Sequence, residues 1–279
     1  MSGKVLTMYL MDGDPIGRIK CKIANWTGIV YKIPRISIDN CDDIQELTQS
    51  GVYLLFGTDK DENTVVYIGQ AGNRKNGRGL LQRICEPHNS IDYWSEVIIL
   101  TTGDGSFGPT EISYLENRLF NMARKAGRYD VKNSNDPNPG NVTEEKECEL
   151  EEFINYARIA VGAIGHRVFE PIALPAESRN SEPILHMEYK GAIAKGQCTS
   201  EGFVVFKGSS VNPETTKKCP SHVTKSRKKY ADMINEENKL TADVFFDSPS
   251  AAAGFVGGTS LNGKVKWIDD SGRALREIM

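Results

Sequence analysis

The sequence has no run of about 18 consecutive apolar residues, the length that a membrane-spanning helix needs. Its N-terminus, MSGKVLTMYLMDGDP, interrupts the apolar stretch with an acidic turn where a secretory signal would continue. The six cysteines include no CxxC pair, so the spacing indicates neither a disulfide framework nor a compact zinc site. These absences predict a cytoplasmic protein with reduced thiols and no membrane partner.

An excess of positive charge is also absent, since 34 lysines and arginines face 37 acidic residues and the formal net charge is -3. The whole chain therefore lacks the strongly basic character of a dedicated nucleic-acid binder. Basic residues are concentrated after a glycine-rich turn and again between residues 217 and 229. These clusters predict contacts with DNA phosphates, with a solvated helix face as the alternative for the second; the candidates are Arg74, Lys75, Arg78, Lys225, Arg227, Lys228 and Lys229.

The glycine-rich turn lacks the Lys-Ser/Thr pair of a Walker phosphate loop. Gly72 is followed by Gly-Arg-Gly at residues 77–79, so a nucleoside-triphosphate site is not indicated. The composition, 39% hydrophobic and 25% charged, is that of an ordinary globular protein able to bury a core. A length of 279 residues suggests about two domains.

Turns and periodic segments divide the chain into four parts. Residues 1–45 alternate short β-rich runs with the turn DGDPIG and end in a short helix, which predicts a small N-terminal β arm. Residues 46–140 form a central domain. Residues 141–189 contain a helix opened by Thr143 and then a Pro- and Ser-punctuated linker, and residues 190–279 form an accessory domain.

The central domain reads as ββαβα. Strands over Val52–Phe56 and Val65–Ile68 flank a polar loop and predict a hairpin. A short helix in LLQRICEP, a strand in SEVIILTT and a long helix in TEISYLENRLFNMARKAG follow, with Thr110 as the cap and Gly127 as the stop of the long helix. This order predicts an α/β (α+β) fold, with a small antiparallel three-stranded sheet flanked by helices.

The accessory domain mixes both kinds of element. GFVVFKGSSV predicts a strand, KKYADMINEENKL a polar helix, and the tail a short helix, a glycine turn and a strand carrying Trp267. A separate small α+β domain is therefore expected at the C-terminus.

Two tyrosine-containing triplets stand on the predicted hairpin. Gly51-Val52-Tyr53 opens the first strand and Tyr67-Ile68-Gly69 closes the second, with residues 54–66 between the tyrosines. Each triplet alone is common in β proteins, where cross-strand tyrosines in a core are the ordinary explanation. Downstream come an arginine on a short helix, a glutamate on the long helix and an asparagine in the next loop: Arg83, Glu116 and Asn135.

In types and order these residues resemble the GIY-YIG nucleases, with valine in place of isoleucine in the first triplet. The resemblance covers roughly residues 45–140. The segments DYWSEVIILTT, YLENRL and AGRYDVKNSN, with the tail SAAAGFVGGTSLNGKVKW, resemble the branch in which this nuclease domain precedes a small C-terminal domain of unknown function.

The helical period of this segment predicts the position of Glu116 independently of the resemblance. At about 100° per residue, Glu116 points to the same side as Ile112 and Ala123, within an apolar stripe that faces the sheet. A carboxylate there requires a cation, an arginine or an open cleft, because burying an unpartnered charge is costly. The alternative is a solvated residue at the edge of the stripe.

Arg83 lies three residues after Leu80, near the packed side of its helix, where a guanidinium could grip a phosphate in bidentate fashion. A surface arginine is the alternative, and Arg78 is a rival for the role. His88 follows Arg83 by five positions, whereas the family often has a proton-active residue after four.

The resemblance implies a metal-dependent DNA endonuclease. It implies that Tyr53 is the general base, that Tyr67 and His88 assist, and that Glu116 holds Mg²⁺ or Mn²⁺. Arg83 would stabilise charge on the phosphate and Asn135 would hold the site together. The competing reading is a DNA-binding module that keeps the fold without cutting. One site cuts one strand at a time, so double-strand cleavage would need a homodimer or two successive events.

Overall fold

A computed structural model describes residues 3–60, 62–72, 79–86, 91, 93–171, 182–199, 201–216 and 219–279. The chain divides into two compact units, residues 1–171 and residues 172–279. The segments predicted as an N-terminal arm and as a central domain both lie in the first unit. The second unit is the separate C-terminal domain that the sequence predicts.

The sheet of the first unit has seven strands in the described part of the chain, in the order β1-β2-β3-β6-β4-β5-β7. All neighbouring pairs are antiparallel except β5 and β7, which are parallel. The strands are β1 (Leu6–Leu10), β2 (Ile19–Ile23), β3 (Gly28–Pro34), β4 (Gly51–Thr58), β5 (Thr64–Ala71), β6 (Trp94–Thr102) and β7 (Asp130–Val131).

The predicted three-stranded sheet was too small. Its members β4, β5 and β6 are present, but β3 pairs with β6 along its whole length, from Gly28 opposite Thr102 to Pro34 opposite Glu96. The expected N-terminal β arm therefore extends the same sheet. The physical reason is that β3 is buried on both faces, so it requires a neighbouring strand and a covering layer.

Helices cover both faces of this sheet. The helices α2 (Pro109–Ala126) and α3 (Glu144–Ala163) lie on one face, where Val52 and Leu54 of β4 share a core with Leu115 of α2. The short helix α1 (Gly79–Cys85) and two 3₁₀ helices, Arg35–Asn40 and Gln45–Thr48, cover the other face. Alternate residues of β4 thus enter two separate cores, as the two-residue period of a strand requires.

The two long helices begin and end at residues that favour those positions. Gly108 caps α2 and Pro109 occupies its first turn, so the predicted cap at Thr110 was two residues late. Gly127 ends α2 in the left-handed conformation, at φ 67°, as predicted. Thr143 caps α3 as predicted, since its side chain accepts a hydrogen bond from the Lys146 backbone N–H.

The second unit contains a four-stranded antiparallel sheet in the order β11-β10-β9-β8 among its described residues. Its strands are β8 (Leu185–Tyr189), β9 (Ala192–Thr199), β10 (Gly202–Val205) and β11 (Val244–Phe246). Its helices are α4 (Ser221–Lys229), α5 (Pro249–Gly257), α6 (Gly263–Lys266) and α7 (Leu275–Ile278). Because β8 lies within the predicted linker, the domain begins earlier than residue 190.

Two predictions in this unit were wrong in detail. The polar helix expected over residues 228–240 is replaced by α4, which ends at Lys229, and by a 3₁₀ turn, Ala231–Met233. Trp267 is not in a strand but follows α6, fully buried, with its ring centroid 4.5 Å from that of Phe203. Its indole N–H donates to the Pro249 carbonyl over 3.0 Å, so it joins β10 to the start of α5.

Within the described ranges, none of the helices combines the length and the apolar character that crossing a bilayer requires.

Candidate active site

Tyr53 and Tyr67 lie on the same face of the sheet, on adjacent strands. Tyr53 of β4 is opposite Gly69 of β5, and Leu55 is opposite Tyr67, so the two phenols are diagonal neighbours. Their ring centroids are 6.2 Å apart. Tyr53 is fully buried, whereas Tyr67 is partly exposed. The hairpin therefore holds one phenol inside the core and the other at its margin.

Gly69 makes this arrangement possible. A Cβ at residue 69 would lie 2.5 Å from both Cζ and the hydroxyl oxygen of Tyr53, and 2.9 Å from Cε1 of Tyr67. No real side chain tolerates such contacts. The glycine of the second triplet thus leaves room for both rings.

Arg83 reaches the same face from α1. Leu80 and Ile84 anchor this helix in the core, and its first residue, Gly79, lets the chain pass against the backbone of residues 48–49. A Cβ on Gly79 would lie 2.3 Å from the Thr48 carbonyl oxygen. The Arg83 side chain is 29% exposed and donates to the Glu86 carboxylate over 2.9 Å. α1 thus packs in the same core as the tyrosines, and the Arg83 guanidinium at its last turn is accessible from solvent.

Glu116 approaches from α2, which packs on the opposite face of the sheet. Gln70, the residue after Gly69, points toward α2 because successive strand residues alternate faces. Its amide nitrogen donates to Glu116 Oε2 over 3.0 Å and to the Ser113 hydroxyl over 3.2 Å. The candidate site is therefore assembled around the end of β5, with the tyrosines on one face and the carboxylate on the other.

Electrostatics couple the four predicted groups. Burial is the main cause that raises the pKa of Tyr53 far above its ordinary value; the charge of Arg83 lowers it and that of Glu116 raises it further. Burial likewise raises the pKa of Glu116, and the Gln70 hydrogen bond and the Arg83 charge oppose that rise. The pKa of Tyr53 thus depends on the charges of Arg83 and Glu116, and that of Glu116 on the charge of Arg83.

The structure brings Asn133, which the sequence did not single out, into contact with the second triplet. The Asn133 amide nitrogen donates to the Ile68 carbonyl over 2.7 Å, and its oxygen accepts from the Ile68 N–H over 3.1 Å. Asn133 therefore continues the sheet edge where β7 stops, and it holds the central residue of the second triplet. Asn135 is exposed.

Sequence reasoning missed Gln70 and Asn133. Gln70 could have been found from the strand period, because a polar residue directly after Gly69 must face the opposite side, where Glu116 was expected. Asn133 carried no signal that separates it from Asn135 in the run KNSN, because the difference arises from a contact with a strand 65 residues away.

Four predicted residues lie outside the described part of the chain: His88, Arg74, Lys75 and Arg78. Within that part, no three His, Cys, Asp or Glu side chains are grouped so that they alone could hold a metal ion. A cation at Glu116 would accordingly rely on one protein carboxylate, with water and substrate oxygens completing its shell, an arrangement that Mg²⁺ accepts.

The basic side chains of α4 have two kinds of environment. Lys225, Lys228 and Lys229 are exposed, as contact with DNA requires. Arg227 instead donates to three backbone carbonyls, those of Phe255 (2.6 Å), Asn212 (2.8 Å) and Val256 (3.1 Å). These bonds use all three nitrogens of the guanidinium and give Arg227 a structural role, while its contact with DNA stays a prediction.

Comparison with known families identifies the second unit only. Residues 185–279, about a third of the chain, match the model of a family described as a domain of unknown function, DUF4357. The predicted C-terminal domain of unknown function is therefore present. No curated protein and no solved structure matches the chain.

Proposed function

We propose that the first unit is a metal-dependent DNA endonuclease that hydrolyses phosphodiester bonds. The observation that carries this proposal is the grouping of predicted residues around the end of β5: Tyr53 and Tyr67 have ring centroids 6.2 Å apart, α1 with Arg83 packs on their face, and Glu116 contacts Gln70 of the same strand. These four residues, which are separate in sequence, contribute two phenols, a guanidinium and a partly desolvated carboxylate. That combination suits an anionic phosphate substrate.

The donor set at Glu116 fits Mg²⁺ or Mn²⁺. The carboxylate is a hard oxygen ligand, and its partial burial beside an apolar helix face is relieved by a cation. Gln70 fixes one carboxylate oxygen through its 3.0 Å hydrogen bond. When bound, such an ion supplies positive charge for the phosphate oxygens and for the leaving oxygen.

Arg83 would neutralise the scissile phosphate, because its side chain is partly exposed on the helix that packs on the same face of the sheet as both phenols. Tyr53 is the proposed general base, and Tyr67, at the solvent margin, orients the attacking water. In the resting protein burial opposes deprotonation of Tyr53. The role therefore requires positive charge at the phenol oxygen, which Arg83 contributes in part.

The raised pKa of Tyr53 also favours a second candidate, a DNA-binding module that retains the fold without cutting. In that case the phenols and Arg83 contact the phosphate backbone, and Glu116 has no chemical task. The half-buried carboxylate argues against this candidate, because the Gln70 hydrogen bond and the charge of Arg83 offset only part of the cost of its burial and a cation would offset more.

Nicking of supercoiled plasmid DNA separates the two candidates. The wild-type chain should nick with Mg²⁺ or Mn²⁺ and be inactive with EDTA. Glu116→Gln should lower the rate by about two to three orders of magnitude, the usual loss when one electrostatic stabiliser is removed. Glu111→Gln changes a carboxylate in the first turn of the same helix, where its side chain lies beside Gly108, and it should leave the rate near wild type. An equal rate in Glu116→Gln and wild type contradicts the nuclease.

A further inference from the structure

The strand β1 forms one edge of the seven-stranded sheet, since in the described part of the chain it pairs with β2 alone. Natural proteins usually protect such an edge with a charge, a proline or a bulge. β1 has the sequence LTMYL, which contains no charge and no proline, and it pairs with β2 in unbroken register. An edge of this kind is a template for strand pairing with another chain.

The side chains along this edge are largely apolar and exposed. Met8 is 42% exposed, Tyr9 61% and Leu10 36%. Leu6, at the start of the strand, is partly buried against the core that α2 and α3 cover. Exposed apolar residues that lie together on an unpaired edge indicate a surface for a partner chain.

The backbone hydrogen bonds of β1 show which of its residues face outward. The Val5 carbonyl accepts from the Ala24 N–H over 3.0 Å, and the Met11 N–H donates to the Arg18 carbonyl over 2.9 Å. In an antiparallel pair, residues that bond to the neighbouring strand alternate with residues that do not. The N–H and C=O groups of three residues therefore point away from β2: Leu6, Met8 and Leu10.

These outward groups are evenly spaced about Met8, so two copies of β1 can pair antiparallel about a two-fold axis at that residue. Met8 then lies opposite its equivalent in the second copy, and Leu6 lies opposite Leu10 in both directions. Each such pair exchanges two backbone hydrogen bonds, about six in all. The side chains of the three residues share one face of the sheet, so the pairing also joins two apolar rows.

Charges at the two ends of the edge favour this orientation and register. Lys4 and Asp12 are exposed and equidistant from Met8 in sequence. The antiparallel pairing places each ammonium opposite a carboxylate, whereas a parallel pairing would place like charges opposite each other. Lys4 already bonds to the Tyr156 hydroxyl and Asp12 to Arg18. An ammonium has three donors and a carboxylate several acceptor sites, so both keep capacity for the new contact.

We propose that two copies of this chain associate through β1, as a two-fold dimer in which the sheets of the two first units become continuous. Each copy uses this edge once, so the association closes at the dimer. A strand-edge interface is small, and we expect a dissociation constant of about 1–100 µM. The inference does not rest on the proposed function, because its test measures mass and not cleavage.

Sedimentation equilibrium of the full-length chain measures the dimer. Because Met8 lies opposite its own equivalent, Met8→Lys places two positive charges at the axis and Met8→Glu places two negative charges there. Each variant alone should raise the dissociation constant about ten-fold or more. An equimolar mixture of the two should recover the dimer, because the mixed pair sets an ammonium opposite a carboxylate.

Ile36→Lys and Ile36→Glu are the matched controls, because Ile36 is 92% exposed and lies in the 3₁₀ helix Arg35–Asn40, outside the edge strand. They should dimerise like wild type, alone and mixed. Met8→Pro tests the same edge without a charge. It removes an N–H that β2 does not use, and it should also weaken the dimer about ten-fold.

A dimer that the two Met8 charge variants lose separately and recover when mixed supports the proposal. A wild-type chain that stays monomeric up to about 100 µM overturns it. A dimer that Met8→Lys and Met8→Pro leave intact, or a mixture as dissociated as its components, also overturns it. Melting curves show which variants fold, and the wild-type measurement decides the question of the dimer without them.

Discussion

The phenol of Tyr53 lies directly against Gly69 on the neighbouring strand, closer than any Cβ at residue 69 would permit. The first triplet and the last residue of the second are therefore one packing unit. Tyr53 is fully buried, so its ring has no alternative position on the solvent side. The glycine and the tyrosine can be expected to tolerate change only together.

Gly69→Ala should destabilise the first unit by about 1–3 kcal/mol, the usual cost of overpacking a core. Nicking should fall in parallel, because the added methyl displaces both phenols. Thermal melting and the plasmid assay measure the two effects. Gly162→Ala is the control: a Cβ at this position in α3 has nothing within 4 Å, and alanine is the better helix former. A Gly69→Ala protein that melts with wild type contradicts the packing described.

Glu116→Gln should raise the melting temperature at neutral pH. Because burial raises the pKa of Glu116 above its unfolded value, its contribution to stability is largest below the unfolded pKa of about 4.3 and is lost as pH rises through the folded pKa. Glutamine at position 116 does not ionise, so the variant does not lose this stability as the pH rises. The difference between variant and wild type should therefore be present at pH 7 and absent in acid below about pH 4.3.

The same melting temperatures measured with Mg²⁺ test whether Glu116 binds the cation. A cation held by Glu116 stabilises the native state by mass action, so it should raise the melting temperature of wild type and not that of Glu116→Gln. Equal shifts in both proteins would show that the ion binds elsewhere. A lower melting temperature for the variant without metal would instead indicate a structural ion pair at Glu116.

Asn133→Ala should destabilise the first unit by about 1–3 kcal/mol, because the Ile68 N–H and C=O lose their partner at a sheet edge. Nicking should also decline as Tyr67, the preceding residue, loses its fixed position. Asn135→Ala is the matched control from the same loop and should resemble wild type. The reverse order of effects would assign the positioning role to Asn135.

Arg227→Ala should unfold or strongly destabilise the second unit, since three backbone carbonyls lose a charged donor. Arg227→Lys should fail to rescue it, because a single ammonium cannot replace a planar fork. Lys228→Ala should leave melting unchanged and lower DNA affinity slightly. A folded Arg227→Ala protein with weaker, less salt-dependent DNA binding would restore the DNA-contact role.

Features set by neighbours in sequence could be predicted. Gly127 ends α2 and Thr143 begins α3, because a left-handed stop and a hydroxyl cap act within one helical turn. The β4–β5 hairpin follows from two β-rich runs around a polar loop, and its tyrosines then share a face through strand alternation.

Features set by distant segments could not be predicted. The pairing of β3 with β6 depends on two strands separated by residues 35–93, and local pattern does not specify which edge a strand joins. The sequence grouped Arg227 with the neighbouring lysines. The carbonyls that hold it lie far away in the sequence, at residues 212, 255 and 256, so local pattern could not reveal them. Trp267 was placed in a strand for the same reason: its partners, Phe203 and Pro249, are remote in sequence.

The pairing of β3 with β6 has a consequence for synthesis on the ribosome. β3 is complete at Pro34, but β6 ends at Thr102, so one edge of the N-terminal strands stays open while the chain between them is made. At about 5–20 residues per second that interval lasts roughly 3–14 s. An open edge is a template for pairing with another chain. Nascent chains halted between these strands should therefore aggregate more readily than the complete chain.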